Sequence, residues 1–260
     1  MLYAYKIVAS FLIQVDMQRV LILNYHKISN DNKKDSLYTV RREDFIAQLE
    51  LIQQFNIPVL GFQQLENYPG KDTLGILLSF DDGNASDFNV VLPILERYAL
   101  PAIFFPTIEL IGKEQYVSWS QVQELSAKGF EIGSHGVSHR PLTNLSMLEL
   151  EHELNESKSI LELQLKKEIK QFAVPYGRFN KKTIKQAKLN GYSILLSTGK
   201  CINDLKKNRA VLFRWNMRGD TTIEELKQVL ALNGQQTFRM KLSFYVKRLA
   251  KKIVLTKRSR

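Results

Sequence analysis

Leu74-Gly75-Ile76-Leu77-Leu78-Ser79-Phe80 runs straight into Asp81-Asp82-Gly83. Seven mostly apolar residues are too few for a helix, and a turn signal follows, so the segment reads as a buried strand. It delivers two adjacent carboxylates at its C-terminal end. Downstream, Val90–Tyr98 reads as a helix containing Pro93, and Ala102–Phe105 as the next strand. A strand, a helix and a second strand in that order make a parallel crossover unit.

The same alternation extends outward. Upstream, Val20–Tyr25 reads as a buried strand, and Arg42–Phe55 as a helix with Phe45, Leu49 and Ile52 on one stripe and Thr39 as its cap. Downstream come a helix over Ser120–Ala127 stopped by Gly129 and a strand over Phe130–Gly133. A long helix over Ser146–Lys166 opens with the capping box Ser146 and Glu149. Strands over Gln171–Val174, Ser193–Ser197 and Val211–Trp215 and helices over Lys181–Asn190 and Thr222–Leu232 complete the pattern. About seven such units predict an α/β fold, a distorted (β/α) barrel of about seven parallel strands, over an open doubly wound sheet. No internal repeat interrupts it. The expected organisation is an N-terminal segment over 1–19, one domain over 20–232 and a tail over 233–260.

Composition narrows the function classes. The 260 residues include one cysteine, Cys201, so neither an intrachain disulfide nor a thiolate zinc site is available. Any metal must be held mainly by His, Asp or Glu. No apolar run approaches the roughly 18 residues of a membrane span. The net charge of +11 is uneven: residues 237–260 carry nine Lys or Arg and no acid, leaving +2 for the rest. On a helical wheel, Phe238, Leu242, Tyr245, Leu249 and Ile253 cluster opposite Lys247, Lys251 and Arg258. That basic amphipathic helix suits an anionic membrane surface. A terminal helix packed on the barrel is the competing reading, and nucleic acid fits poorly. The first fifteen residues, MLYAYKIVASFLIQV, show no clear cleavable signal. They are expected to form an ordinary N-terminal element, with an uncleaved anchor as the alternative. The expected location is peripheral at a membrane surface, with the cytoplasmic face favoured.

Three strand-end motifs carry the chemistry. The first is Asp81-Asp82-Gly83; a bland alternative is that Asp82 or Asn84 caps the next helix. The second is His135-Gly136-Val137-Ser138-His139, two histidines able to converge on one metal or merely to stabilise a turn. The third is Pro175-Tyr176-Gly177, a rigid turn that either does nothing more or presents a backbone N–H to a ligand oxygen. Taken together, one Asp and two His make an open three-ligand metal site, and the other Asp is a free base beside it. Hydrolysis of an unactivated amide or ester needs those groups.

In these motifs, over roughly residues 20–215, the chain resembles the polysaccharide deacetylases, the NodB-homology group of carbohydrate esterase family 4. The resemblance implies a distorted barrel and removal of acetyl from N-acetylated amino sugars, less often from O-acetylated ones. It implies Asp81 as general base and Asp82, His135 and His139 as ligands of zinc or another divalent transition metal. It further implies the Tyr176 N–H as oxyanion donor, with Pro175 to Gly177 walling the groove. Two features depart from the common pattern. The position two before Pro175, usually Arg, is Ala173, and no late Leu-x-His motif exists. The subgroup acting on poly-N-acetylglucosamine is circularly permuted, with its acid histidine in an early Tyr-His pair. Tyr25-His26 matches that arrangement, making His26 the candidate acid against a packing role. Arg214 is the candidate replacement for the missing Arg, with a surface arginine as the alternative. The competing functional classes are an O-acetyl esterase on a glycan and a catalytically silent carbohydrate-binding homologue.

Overall fold

A computed structural model describes residues 18–30, 36–65 and 74–231. In chain order the elements are β1 (Arg19–Tyr25), β2 (Lys27–Ser29), β3 (Thr39–Arg41), α1 (Arg42–Gln54), α2 (Phe62–Leu65), β4 (Leu74–Asp82), α3 (Leu92–Tyr98) and β5 (Ile103–Pro106). They continue with α4 (Trp119–Ala127), β6 (Glu131–Ile132), α5 (Met147–Leu165), β7 (Gln171–Ala173), α6 (Lys181–Leu189), β8 (Ile194–Thr198), β9 (Asn203–Asp204), β10 (Val211–Asn216) and α7 (Ile223–Ala231). Seven strands pair in the order β6-β5-β4-β1-β10-β8-β7, all parallel. A parallel bridge from Ser134 to Phe172 joins the two edges, so the sheet closes as the distorted barrel expected from the sequence. The closure consists of Ser134 N–H to Gln171 O, 3.0 Å, and Ala173 N–H to Ser134 O, 2.8 Å.

Strand periodicity sorts the side chains into two cores. On β1, Leu21, Leu23 and Tyr25 face the helices, where Tyr25, Phe80 and Phe104 stack in sequence at 5.4 and 5.0 Å. Val20 and Ile22 face the lumen with Leu77, Ile103, Phe105, Ala173, Leu196 and Leu212. Each fully buried aliphatic or aromatic side chain stabilises the fold by about 1.5–3 kcal/mol. One step further along the same parity, Asn24, Ser79, Asp81, Arg214 and Asn216 also point inward. The lumen is therefore apolar at its floor and polar at the C-terminal ends of its strands.

Local signals are answered in most places. Ser146 and Glu149 form the expected capping box of α5. Gly129 and Gly191 follow α4 and α6 with positive φ. Two local expectations need correction. Thr39 does not cap α1: it lies in β3, and Arg41 occupies the N-cap position with no side-chain cap bond. The helix containing Pro93 begins earlier than expected, as a π-helical turn over Asp87–Val91. The short β2–β3 pair and β9 were not expected, being too short to leave a periodic signal. Residues 1–17 and the basic tail over 237–260 lie outside the described residues. Among the described residues, no helix is long and apolar enough to cross a membrane.

Candidate active site

Asp81 sits at the polar end of the lumen, 3% exposed. Arg214, fully buried on neighbouring β10, grips it with both terminal nitrogens: Nη1 to Oδ1 is 2.6 Å and Nη2 to Oδ2 is 2.7 Å. Asn24 Nδ2 donates to Asp81 Oδ2 at 3.0 Å. Asn24 Oδ1 in turn accepts from Arg214 Nη1 at 2.8 Å and from Ser79 Oγ at 2.8 Å. Burial alone would raise the Asp81 carboxyl, but Arg214 and then His135 outweigh it and hold the group below the usual carboxylate range. Asp81 is thus an ionised, oriented carboxylate. With no exposed surface, Arg214 touches Asp81 and not the groove.

Asp82 follows at the end of β4 with a φ of 73°. Its Oδ1 lies 3.4 Å from His135 Nε2 and 3.3 Å from His139 Nε2. Burial opposes the Asp82 charge, yet the two imidazoles hold its pKa far below the ordinary value. His135 follows the barrel closure directly. Its Nδ1 lies 2.7 Å from the Ala173 carbonyl, an acceptor only, so Nδ1 carries the proton and Nε2 is free to face Asp82. Burial disfavours the His135 charge, but Asp81 and then Asp82 outweigh it and raise its pKa.

Asp82, His135 and His139 offer ligand atoms within 4.8 Å of one another. Asp82 Oδ1 is buried and makes no hydrogen bond among the described residues. One carboxylate oxygen and two imidazole nitrogens pointing at one space suit a divalent cation, with positions left open for water and substrate. The fit is therefore good on the residues themselves.

Tyr176 also has positive φ, 58°, and its ring packs 4.8 Å from that of His139. It is 58% exposed at the rim, and its N–H makes no backbone hydrogen bond among the described residues. Gly177 is required: at φ 64°, a Cβ there would lie 2.1 Å from Thr198 Oγ1. Pro175 is buried, so of the turn only Tyr176 presents itself outward. Three of the seven described non-glycine residues with positive φ are Asp82, His139 and Tyr176, a concentration typical of functional sites.

His26 leaves β1 beside Asp81, because Tyr25 pairs with Phe80 in parallel register. It stands on the same rim, outside the Asp82–His135–His139 cluster, with Tyr38 4.7 Å from its ring. Its Nδ1 is buried without a partner among the described residues. Burial pushes its pKa below the ordinary value, more than the nearby Asp81 and Asp82 charges restore. The remaining histidine, His152, is exposed on α5. Sequence reasoning did not single out Asn24, Ser79 or Asn216. The available signal was polarity at lumen-facing positions in otherwise apolar strands.

A closed barrel with a buried carboxylate and an Asp/His/His cluster able to hold a cation at its strand C-termini defines a recognisable class. Residues 70–195 match the family model described as polysaccharide deacetylase. The YxkH protein of Bacillus subtilis is 25% identical over 181 residues, 68% of this chain and 63% of that protein. The poly-beta-1,6-N-acetyl-D-glucosamine N-deacetylase of Staphylococcus aureus is 26% identical over 189 residues, 62% of this chain and 65% of that protein. The matches thus span slightly under two thirds of either relative. The Streptococcus pyogenes deacetylase PplD, solved in complex with acetate, superposes with a TM-score of 0.75 at 24% identity, covering 82% of this chain and 99% of that one. Residues 70–195 are thus a polysaccharide deacetylase domain, the class that the family model describes.

Proposed function

We propose that the chain is a divalent-metal-dependent hydrolase that removes N-acetyl groups from an N-acetylated amino-sugar polysaccharide or lipid-linked glycan. The observation that carries this reading is Asp81, ionised and clamped by Arg214, standing beside the Asp82–His135–His139 cluster. Asp82, His135 and His139 would hold the cation, zinc by the character of the donors. When bound, such an ion lowers the pKa of a water toward ~7 and polarises the acetyl carbonyl. Asp81 takes the proton of the attacking water, and the double contact with Arg214 keeps its carboxylate from turning away. The Tyr176 N–H steadies the oxyanion. His26, on the same rim, protonates the departing amine. The amino-sugar substrate is supported by the poly-N-acetylglucosamine deacetylase among the relatives.

The test is acetate release by zinc-loaded protein from β-1,6-linked N-acetylglucosamine oligomers and, in parallel, from an O-acetylated glycan. Release from the first is expected. Release only from the second would make the chain an esterase, and release from neither would favour a silent homologue. His26→Ala should retain zinc and lose about 10²–10⁴-fold in amide hydrolysis. An activated acetyl ester, whose leaving group needs no proton, should be spared much more.

A further inference from the structure

The two histidines are secured unequally. His135 has its own ring partner, the Ala173 carbonyl. The His139 ring makes no hydrogen bond to such a carbonyl among the described residues; it touches Asp82 and the rings of His135 and Tyr176. Its backbone has φ 57°, a conformation a non-glycine residue does not hold unaided. The position of His139 therefore depends on the three residues that lead to it.

Those residues are gripped from α5. Glu153, 3% exposed, faces inward on the helix stripe of Leu150, Leu154, Ser157 and Leu161. Its Oε2 accepts from Val137 N–H at 2.7 Å and from Ser138 N–H at 3.1 Å. Its Oε1 accepts from the Ser138 hydroxyl. One turn later, Ser157 Oγ lies 2.7 Å from Ser134 Oγ, which accepts from Gly136 N–H at 3.1 Å. The opposite side of the loop is held by Ile108 N–H to Gly136 O and Glu109 N–H to Val137 O. Gly136 leaves room for this grip: with φ 85°, a Cβ there would sit 2.9 Å from Glu153 Oε2.

Resting on the metal-site reading above, we infer that Glu153 is a positioning residue that sets His139 for the cation by fixing the backbone of Val137 and Ser138. A buried carboxylate whose partners are two backbone N–H groups and a hydroxyl is an unusual choice for packing alone, where leucine would suit the helix stripe. Outer-shell groups that orient ligands typically govern metal affinity by 10–100-fold.

The experiment measures Co2+ affinity and the Co2+ absorption spectrum of the full chain, with thermal unfolding as a check on folding. Glu153→Gln offers one oxygen to both N–H groups and a donor to Ser138 Oγ, so affinity within about threefold of the original is expected. Glu153→Asp keeps the charge but withdraws it by one methylene, and a loss of about tenfold is expected. Glu153→Leu should lose roughly 10–100-fold. If the leucine variant does not fold, the aspartate variant decides. In a His139→Ala background, changing Glu153 to Asp should cost no further affinity, because the ligand it serves is gone. A merely structural role would add its loss regardless of His139. Wild-type affinity and spectrum in folded Glu153→Asp, or a full additional loss in the double variant, would overturn the inference. So would a wild-type chain that takes up no Co2+. A chain that binds Co2+ as described yet deacetylates no glycan would sink the functional proposal and leave Glu153 in its role.

Discussion

The two halves of the site are built by different means. Asp81 is held from regular strands by side chains: Arg214 and Asn24 converge on it from β10 and β1, all buried. The Asp82–His139–Tyr176 half is held by irregular backbone, with φ of 73°, 57° and 58°. The first half gets its precision from the barrel, which fixes register between adjacent strands. The second relies on strained residues, a glycine with no room for a Cβ at 177, and hydrogen bonds from a helix behind it. Substitutions in the strand half should therefore change charge and proton transfer with the metal site intact. Substitutions in the loop half should change metal occupancy first.

The widest separation is expected at Asp81. Asp81→Asn should lower turnover by about 10²–10⁴-fold, the usual contribution of a positioned base, while zinc content stays near stoichiometric. His135→Ala should do the opposite and lose the metal. Equal loss of zinc in both variants would break the division and reverse the roles of the two aspartates.

Arg214 is next. Removing one partner of a buried ion pair costs about 3–5 kcal/mol, so Arg214→Ala should unfold markedly earlier. At about 2–4 °C per kcal/mol for a domain of this size, calorimetry would see a large drop. Its pH dependence has a definite sign. The folded Asp81 pKa is depressed below the unfolded value, so this stabilisation is present above about pH 4 and is lost as pH falls through the folded value. The gap between the two proteins should close in acid. The low-pH limb of turnover should also move to higher pH in the variant. Since Ala173 lies in the lumen on β7, Ala173→Arg offers a cation from another wall. Partial recovery in the Arg214→Ala background is expected; none at all would mean that β10 is the only usable origin.

The strand half was the more legible in the sequence. Apolar runs such as Leu74–Phe80 announce themselves, and the parallel alternation places their C-terminal ends on one rim. Arg214 and His26 stand out only through the family resemblance, which calls for a clamping arginine and an acid histidine and meets both at the ends of such runs. Asn24 escaped notice inside VLILNY, although a single amide in a fully buried strand is a polarity mismatch. The loop half was legible in its ligands but not in their support. Glu153 looks like one more acid in a polar helix until its parity with Leu150, Leu154 and Leu161 is considered. Backbone grip by the Ala173 carbonyl leaves no mark on sequence at all. Neither does the positive φ of His139, since only glycine advertises that conformation.

The smallest effect belongs to a third acid, and it sharpens the contrast between compensated and uncompensated charge. Asp87 opens the π-helical turn just beyond Gly83 and is 1% exposed. Neither carboxylate oxygen has a hydrogen-bond partner among the described residues. Burial, followed by the Asp82 and Asp81 charges, pushes its pKa well above the ordinary carboxylate value. A pKa raised in the folded state means that stability is full below the unfolded value near 4 and declines as pH rises through the folded value. Asparagine keeps the shape and cannot ionise. Asp87→Asn should therefore match the original protein at pH 4 and melt later at pH 8.5, by about 2–4 °C if ~1 kcal/mol is relieved. Zinc, by adding positive charge beside Asp82, should narrow the difference at pH 8.5 relative to protein held in chelator. Thermal unfolding at both pH values, with and without zinc, checks it. A melting difference that is the same at pH 4 and pH 8.5 would mean that Asp87 is not a buried, uncompensated acid in solution.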